Sequence, residues 1–478
     1  MSEVLDSSYK VSVEDSEGRE VRDENLRTND ASGIDLLERQ QRFESNARTY
    51  PRRIRIALRS ARGIHVTDTA GRTYIDCLAG AGALALGHNH PAVVDAVQRA
   101  LAENLPWQTL DLTTPTKDRF VQDLFASLPA AFSENAKIQF CGPSGADAVE
   151  AAIKLVKTAT GRRGLLCFRG AYHGMTHGAL SITGERNPKE SIPGLMPDVQ
   201  FLPYPYSYRC PFGLGGEACH QMSSRYIENL LDDSNSGIVT PAAMILEAVQ
   251  GEGGVIPAPS EWLREMRRIT RERGILLIVD EVQTGLGRTG RMYAIEHAGI
   301  VPDVLVLSKA IGGGLPASVI LYHKNLDLWQ PGAHAGTFRG NQLALAAGSA
   351  TVGLVQEFRL HEHAAVMGER LLSSLRQTMA KARYIGDVRG RGLMVGAEIV
   401  KPEDATTNAF CPPCYPEMAR SIQREALSRG LIVELGGRCG SVVRFLPPLV
   451  ITANQIDQVA AIFADAVSAA EARDLAAD

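Results

Sequence analysis

Long apolar runs are missing from this chain: the longest, such as Ile275 to Val279, fall far short of the roughly 20 residues a membrane helix needs. Cysteine is scarce, and eight in 478 residues make no disulfide framework. Neither sign of charge dominates. The 50 basic and 54 acidic residues leave a formal −4, which gives no reason to expect nucleic acid as a partner. No secretory signal precedes the opening MSEVLDSSYKVSVEDSEGRE, so cytoplasmic residence without a membrane anchor is the expectation. Cys411 and Cys414 stand close together in CPPC but lack a second pair at zinc spacing; they read as loop thiols, as do Cys210 and Cys219, and no metal is expected.

What the chain does have is an ordinary globular balance, 45% hydrophobic and 22% charged, and enough length for two domains. Residues 1–35, rich in Ser, Asp, Glu, Arg and Asn, are expected to form a mobile polar extension. Residues 36–90 are assigned to the N-terminal part of a small domain, and HPAVVDAVQRALAENL carries apolar residues at helical spacing. Between 91 and 345 the buried-strand candidates KIQFC, GLLCF, AAMILEAV, ILLIVD and VLVLS alternate with helical segments such as EWLREMRRITRERG. That alternation predicts an α/β domain with a mainly parallel, doubly wound sheet, whose ligands sit at the carboxyl ends of the strands. The helical stretches and short strands LMVGAEIV and SVVRFLP of 346–478 predict a smaller C-terminal α+β domain.

Chemistry-bearing residues gather at the strand ends. KIQFC runs into Gly142-Pro143-Ser144-Gly145-Ala146-Asp147 and then a helical segment; a helix start of this kind offers free N–H groups to a phosphate, or is merely capped by Ser144 or Asp147. ILLIVD ends in Asp280-Glu281, and VLVLS closes on Ser308-Lys309 before three glycines, which are expected to keep bulk away from the amine. A buried lysine is costly unless paired or chemically bonded. GLGRTG (285–290) matches a dinucleotide fingerprint in form but lacks its strand, helix and acid arrangement. A structural salt bridge would account for the acid and the amine alone. Pyridoxal 5'-phosphate accounts for all three features, with an aldehyde for the lysine, a ring nitrogen for the carboxylate and a phosphate for the helix start.

The ordered blocks GHNHP (87–91), GPSGADAVEAAIK (142–154), AYHGMTHGAL (171–180), EAVQGEGG (247–254), VDEVQTGLGRTG (279–290), SKAIGGGLP (308–316) and GTFRGNQLA (336–344) resemble the class III aminotransferases, pyridoxal-phosphate enzymes of fold type I. The resemblance implies a large domain on a seven-stranded-type sheet. Within it Lys309 matches the lysine bonded to the cofactor and Asp280 the partner of the ring nitrogen, together the catalytic pair. Ser144, Gly145 and Ala146 match the phosphate turn. Thr337 matches a phosphate ligand that reaches across a dimer interface. Tyr172 matches the ring-stacking aromatic with His173 beside it, and Val282 and Gln283 line the ring's other side. Arg444 matches the arginine that takes the α-carboxylate of glutamate or 2-oxoglutarate, and Glu252 its partner while an amine donor is bound; Glu247, in the same block, joins the substrate-binding set.

Met175 stands where relatives acting on 4-aminobutyrate or ornithine place an arginine. YHGMT and YPYSYRCPFG are most similar to members acting on L-2,4-diaminobutyrate. This implies transfer of its 4-amino group to 2-oxoglutarate, giving L-aspartate 4-semialdehyde and L-glutamate. The expected physiological direction is towards diaminobutyrate, for example for siderophores. The expected partners are a small-molecule amino donor and a 2-oxo acid, bound by a homodimer or dimer of dimers. Another ω-aminotransferase, acting on 4-aminobutyrate, ornithine or lysine, stays open, as does an aminomutase of the glutamate-semialdehyde type.

Overall fold

A computed structural model describes residues 33–402 and 412–476. The extension expected at 1–35 therefore lies almost wholly outside the described residues, and Cys411 does too. Two compact units are present. Met1–Arg59 with Thr67–Arg72 make one, in which the described helices are Gly33–Phe43 and Tyr50–Arg53. Ser60–Val66 with Thr73–Asp478 make the other, which holds both principal sheets. Among the described residues no helix is long and apolar enough to cross a membrane.

The larger sheet has seven strands: β1 (Ala136–Phe140), β2 (Leu165–Phe168), β3 (Val199–Leu202), β4 (Ala243–Leu246), β5 (Leu276–Asp280), β6 (Val304–Leu307) and β7 (Val319–His323). Their spatial order is β1-β7-β6-β5-β4-β2-β3. Strands β3, β2, β4, β5 and β6 run parallel, and β7 is antiparallel to both of its neighbours. Helices cover both faces of such a sheet, so its central strands are apolar without alternation: every residue of β2, β4 and β6 is buried. Each fully buried Val, Leu or Ile contributes about 1.5–3 kcal/mol of hydrophobic stabilisation, an upper bound when measured from an extended chain.

Between β1 and β2 runs the helix Gly145–Thr160, whose buried stripe of Ala148, Val149, Ala151, Ala152, Leu155 and Val156 packs on the sheet. Ser144 caps its start and Gly161, at φ 66°, ends it in the left-handed conformation. The helix expected over 90–105 runs from Pro91 to Ala102, because a proline suits the first helical position and the chain turns to positive φ at Asn104. AAMILEAV divides into β4 and a two-residue strand Val249–Gln250, and the Glu247 carboxylate between them accepts the N–H groups of Tyr172 and of Gly251.

The second sheet contains β8 (Ile385–Arg391), β9 (Met394–Ile399), β10 (Glu434–Gly436) and β11 (Val442–Phe445), antiparallel in the order β8-β9-β11-β10. Helices Leu360–Met379, Pro416–Ser428 and Ala453–Leu475 pack among these strands. Strand Thr73–Asp76 pairs in parallel with Leu431–Ile432, so an N-terminal segment is built into the C-terminal half of the chain. GLGRTG joins the two sheets mechanically. The buried Arg288 guanidinium donates to the Leu393 carbonyl at 3.0 Å and to that of Pro447, which is structural work and not phosphate binding.

Candidate active site

The carboxyl ends of β1, β2, β4, β5 and β6 deliver the expected residues to one edge of the large sheet. Asp280 closes β5 in register with Val306 of β6, so Lys309 emerges three residues further along the neighbouring strand. Asp280 is buried; its Oδ2 lies 2.8 Å from His173 Nδ1 and its Oδ1 accepts the Val282 N–H at 2.9 Å. His173 comes from the segment after β2, and its Nε2 is buried with no partner among the described residues. Lys309 itself sits at φ 49°, a left-handed conformation that costs a residue with a β-carbon about 1–3 kcal/mol and gathers at functional sites. Burial and the Arg444 guanidinium push its amine below the ordinary lysine range, while Glu252, Asp280 and Glu434 pull the other way.

Ser144 is the N-cap of the helix that follows β1. A capping box is present: the Asp147 N–H reaches Ser144 Oγ at 3.4 Å, and Asp147 Oδ2 accepts from the Ser144 N–H at 3.0 Å and from its hydroxyl at 2.6 Å. Capping does not preclude anion binding here, because the box leaves the N–H groups of Gly145 and Ala146 at the positive end of the dipole. Gly145 is required by packing. A Cβ there would lie 2.8 Å from Val282 Cγ1, so the phosphate-type turn and the residue after Asp280 touch. Gln283 donates to the Ala81 carbonyl at 3.2 Å and lies against Gly251 of the Glu252 loop.

The three glycines after Lys309 have a different purpose from the expected one. A Cβ at Gly313 would meet the Ala347 carbonyl oxygen at 2.6 Å, one at Gly314 the Leu84 side chain at 2.9 Å, and one at Gly312 that of Ala317 at 3.3 Å. They admit the helix Gln342–Glu357 and neighbouring segments to close approach; the space they clear is not the space beside the amine.

On the substrate side Arg444 is fully buried in β11, with its Nη2 2.7 Å from Glu252 Oε2 and 2.7 Å from Glu434 Oε2. Gly436 has no side chain because Arg444 Nε would lie 2.6 Å from a Cβ there. Burial alone would raise the Glu252 carboxyl, but Arg444 and then Lys309 more than offset it and hold it below its ordinary value. Glu247 is buried and accepts N–H bonds from Tyr172 and Gly251, each at 2.9 Å, tying the two loops that flank the site; burial pushes its carboxyl up to about 7. Tyr172 lies within the field of Glu252 and Glu434, and burial followed by these charges raises its phenol. Met175 is 49% exposed, so no arginine faces the site from that position.

Glu434 escaped the sequence reading. The signal was a lone carboxylate in LIVELGG, the same anomaly that made Lys309 conspicuous. YPYSYRCPFG also finds its purpose: the Tyr204 hydroxyl donates to the Glu247 carbonyl at 2.8 Å, and Tyr206 and Arg209 hold the buried Glu398 of β9. Thr337 stands apart. It is exposed in the turn Thr337–Gly340, and among the described residues no hydrogen bond joins it to Ser144, Lys309 or Asp280.

A seven-stranded sheet with one reversed strand, a strand-end lysine, a neighbouring aspartate and a helix start define a pyridoxal-phosphate enzyme of fold type I. Residues 47–467 match the family Aminotransferase class-III, and the chain belongs to that family. It is 60% identical over 430 residues to the diaminobutyrate–2-oxoglutarate aminotransferase of Rhizobium meliloti (strain 1021), covering 90% of this chain and 92% of that one. With the enzyme of the same name from Haemophilus influenzae (strain ATCC 51907 / DSM 11121 / KW20 / Rd) it shares 49% over 430 residues, 90% and 94% of the two chains. Among solved structures it is similar to an amine transaminase from an uncultivated Pseudomonas species in a pyridoxal-phosphate-bound form, with TM-score 0.79, 28% identity, and coverage of 90% of this chain and 97% of that one. The cofactor is pyridoxal 5'-phosphate. The residues present fit it: an amine whose pKa burial lowers, a buried carboxylate on the neighbouring strand and an anion-ready helix start lie along one sheet edge.

Proposed function

We propose that the chain transfers the 4-amino group of L-2,4-diaminobutyrate to 2-oxoglutarate, giving L-aspartate 4-semialdehyde and L-glutamate. The observation that carries this reading is the buried Arg444 held by Glu252, together with Met175 where an arginine for a donor carboxylate would otherwise stand. The cofactor supplies an aldehyde to carry the amino group and a ring that withdraws electrons from the substrate carbon. Lys309 would hold that aldehyde and is the group placed to carry a proton to and from the reacting carbon. Asp280, fixed by His173, would hold the ring nitrogen protonated. Ser144, Gly145 and Ala146 would bind the phosphate; Tyr172, Val282 and Gln283 would bracket the ring. Glu247 positions Tyr172 and the Glu252 loop.

Arg444 and Glu252 then act as a switch between the two substrates. Paired, they hide the arginine's charge from the amine donor; parted, they let the planar guanidinium grip the α-carboxylate of 2-oxoglutarate or glutamate in bidentate fashion. The same reading includes a cytoplasmic homodimer or dimer of dimers, a large domain of 91–345, a small domain of 36–90 with 346–478, and the supply of diaminobutyrate to a route such as siderophore assembly. Exposed Trp107, Leu110, Leu112 and Phe338, on segments joined by hydrogen bonds between Thr109 and Gly340 and between Trp107 and Gln342, offer the apolar face a partner would cover. The test is a donor panel with 2-oxoglutarate, run at equal enzyme concentration. L-2,4-diaminobutyrate is expected to turn over fastest; faster turnover of 4-aminobutyrate, ornithine or lysine refutes the assignment, and activity without any 2-oxo acid points to the aminomutase.

A further inference from the structure

Two of the cysteines expected to be mere loop thiols meet at the end of β9. In an extended strand the N–H and C=O of one residue point to the same side. Ile399, the last residue of β9, donates its N–H to the Ser441 carbonyl at 2.8 Å and accepts the Tyr415 N–H at 3.1 Å, so Ser441 and Tyr415 lie next to each other along one edge. Val400 pairs with Cys414 itself, and the turn that ends at Ser441 carries Cys439. The two thiols are hydrogen-bond partners. Cys414 is partly exposed, and Cys439 is the one fully exposed thiol among the described residues. Cys439 also sits at φ 58°, in a turn flanked by Gly437 and Gly440, both at φ 71°; a residue with a β-carbon is strained there, and such strain gathers at functional sites. In the same turn Gly437 donates its N–H to the Glu252 carbonyl at 2.8 Å, and a Cβ on it would lie 3.2 Å from Gly254 Cα and collide with Val442 of β11. The turn is thus packed between the Glu252 loop and the strand of Arg444. Cys210 and Cys219 also adjoin each other, but Cys219 is fully buried on the helix Gly216–Asp232, out of reach of a dissolved oxidant.

We propose that Cys414 and Cys439 form a reversible disulfide when the enzyme meets a peroxide, and that the closed bond holds the Gly437 turn against the Glu252 loop and weakens binding of the 2-oxo acid. One thiol ionises and its sulfur attacks the peroxide: an S–O bond forms, the O–O bond breaks, and the departing hydroxide takes up the proton as water. The second thiol attacks the resulting sulfenic acid; the S–S bond forms, the S–O bond breaks, and hydroxide leaves with the second proton as another water. The two thiols give up two electrons, and the peroxide takes them. A dithiol reductant reverses the bond by exchange and ends as its own cyclic disulfide. Burial and then Cys414 push the Cys439 thiol up, against the pull of Arg209 and Arg438, so the pair carries one thiolate before two, as the stepwise chemistry requires. Weaker 2-oxo acid binding follows because Glu252 has to part from Arg444 to admit that carboxylate; this consequence rests on the switch proposed above, and the disulfide itself does not.

The experiment treats the holoenzyme with hydrogen peroxide, alkylates the remaining thiols and maps the digest by mass spectrometry. A pair of peptides joined through Cys414 and Cys439 is expected, lost on treatment with dithiothreitol, absent from Cys414→Ser and Cys439→Ser, and kept by Cys411→Ser. Over-oxidised Cys439 without a bridge, or bridges only from Cys411 to Cys414 or from Cys210 to Cys219, overturn the proposal. Steady-state kinetics with the fastest donor of the panel then read the restraint. The bridged wild type is expected to show a KM for 2-oxoglutarate raised at least about fivefold, with the KM for the donor moved by less than about twofold, and dithiothreitol restores both. Cys439→Ser, which cannot bridge, is expected to keep the same KM before and after peroxide. Bridged protein with unaltered kinetics refutes the restraint on the Glu252 loop. A bridge that forms in a protein for which diaminobutyrate is a poor donor would refute the substrate named above while leaving the thiol pair standing.

Discussion

Lys309 combines two costs, a left-handed backbone and a buried amine, and neither would persist in a residue that only packed. Lys309→Ala removes the amine but keeps a β-carbon, and so keeps the backbone cost. The variant is expected to keep its fold, to bind cofactor without the covalent absorbance band, and to lose at least about 10³-fold in turnover, the scale of a lost positioned proton carrier. Measurable wild-type turnover in that protein would contradict the role. Asp280→Asn is expected to fold and bind cofactor with most activity gone, because an amide cannot hold the ring nitrogen protonated; cofactor absorbance and steady-state rates taken together check it. At this scale the sequence was most informative where a charge interrupts an apolar segment, as at Asp280 and Lys309. Glu434 was missed because β10 is only three residues long, too short for its surroundings to stand out. The glycines after Lys309 were noticed and misassigned, since sequence shows that side chains are absent but not which neighbour needs the room.

Some whole elements were legible through period and length: five of the seven strands of the large sheet, and helices such as Pro91–Ala102 and Ser260–Glu272, fell where apolar runs and 3.6-residue spacing placed them, whereas β3 and β7 were not expected. The reversed β7 and the pairing of Thr73–Asp76 with Leu431–Ile432 were not, since strand direction and long-range pairing leave no mark in local pattern. Gly313→Ala tests how helix Gln342–Glu357 sits on the turn after Lys309. With φ at 60° and the Ala347 oxygen 2.6 Å from the added carbon, a loss of at least about 2 kcal/mol is expected in a denaturant titration; an unchanged midpoint would refute the packing account. Glu281 supplies a pH test at the end of β5. Its carboxylate accepts N–H bonds from Ala294 and Ile295, yet burial pushes the carboxyl up from 4.5 to about 7. A carboxyl raised on folding contributes stability that is complete below pH 4.5 and is lost as pH climbs towards 7. Up to about 3 kcal/mol should disappear across that window through this one group. Glu281→Gln, less stable overall for want of one acceptor, is expected to show a flatter dependence between about pH 5 and pH 7, and identical slopes for the two proteins would dispose of the idea.

At the scale of the molecule, Thr337 poses a question a single chain cannot answer, being matched to a phosphate ligand while exposed in its own chain beside exposed Phe338. If it serves the partner's cofactor, each site takes Lys309 from one chain and Thr337 from the other. Thr337→Asp then sets a negative charge against the partner's phosphate, and a penalty of a few kcal/mol corresponds to a loss of about 100-fold in cofactor affinity. Lys309→Ala dimers are expected to be inactive for a different reason. Mixed by refolding or co-expression, the two variants form hybrid dimers in which one site pairs the intact Lys309 of the Thr337→Asp chain with the intact Thr337 of the Lys309→Ala chain. That site is native in every respect. Activity at limiting cofactor is therefore expected to rise well above the sum of the separate variants, approaching half of the wild-type value per hybrid. Were Thr337 to act within its own chain, every hybrid site would carry one defect or the other, and the mixture would show no gain over its components. Trp107→Asp with Phe338→Asp supplies the control: by charging the shared apolar face it should shift sedimentation towards the monomer and abolish the complementation, since chains that do not pair cannot exchange a ligand.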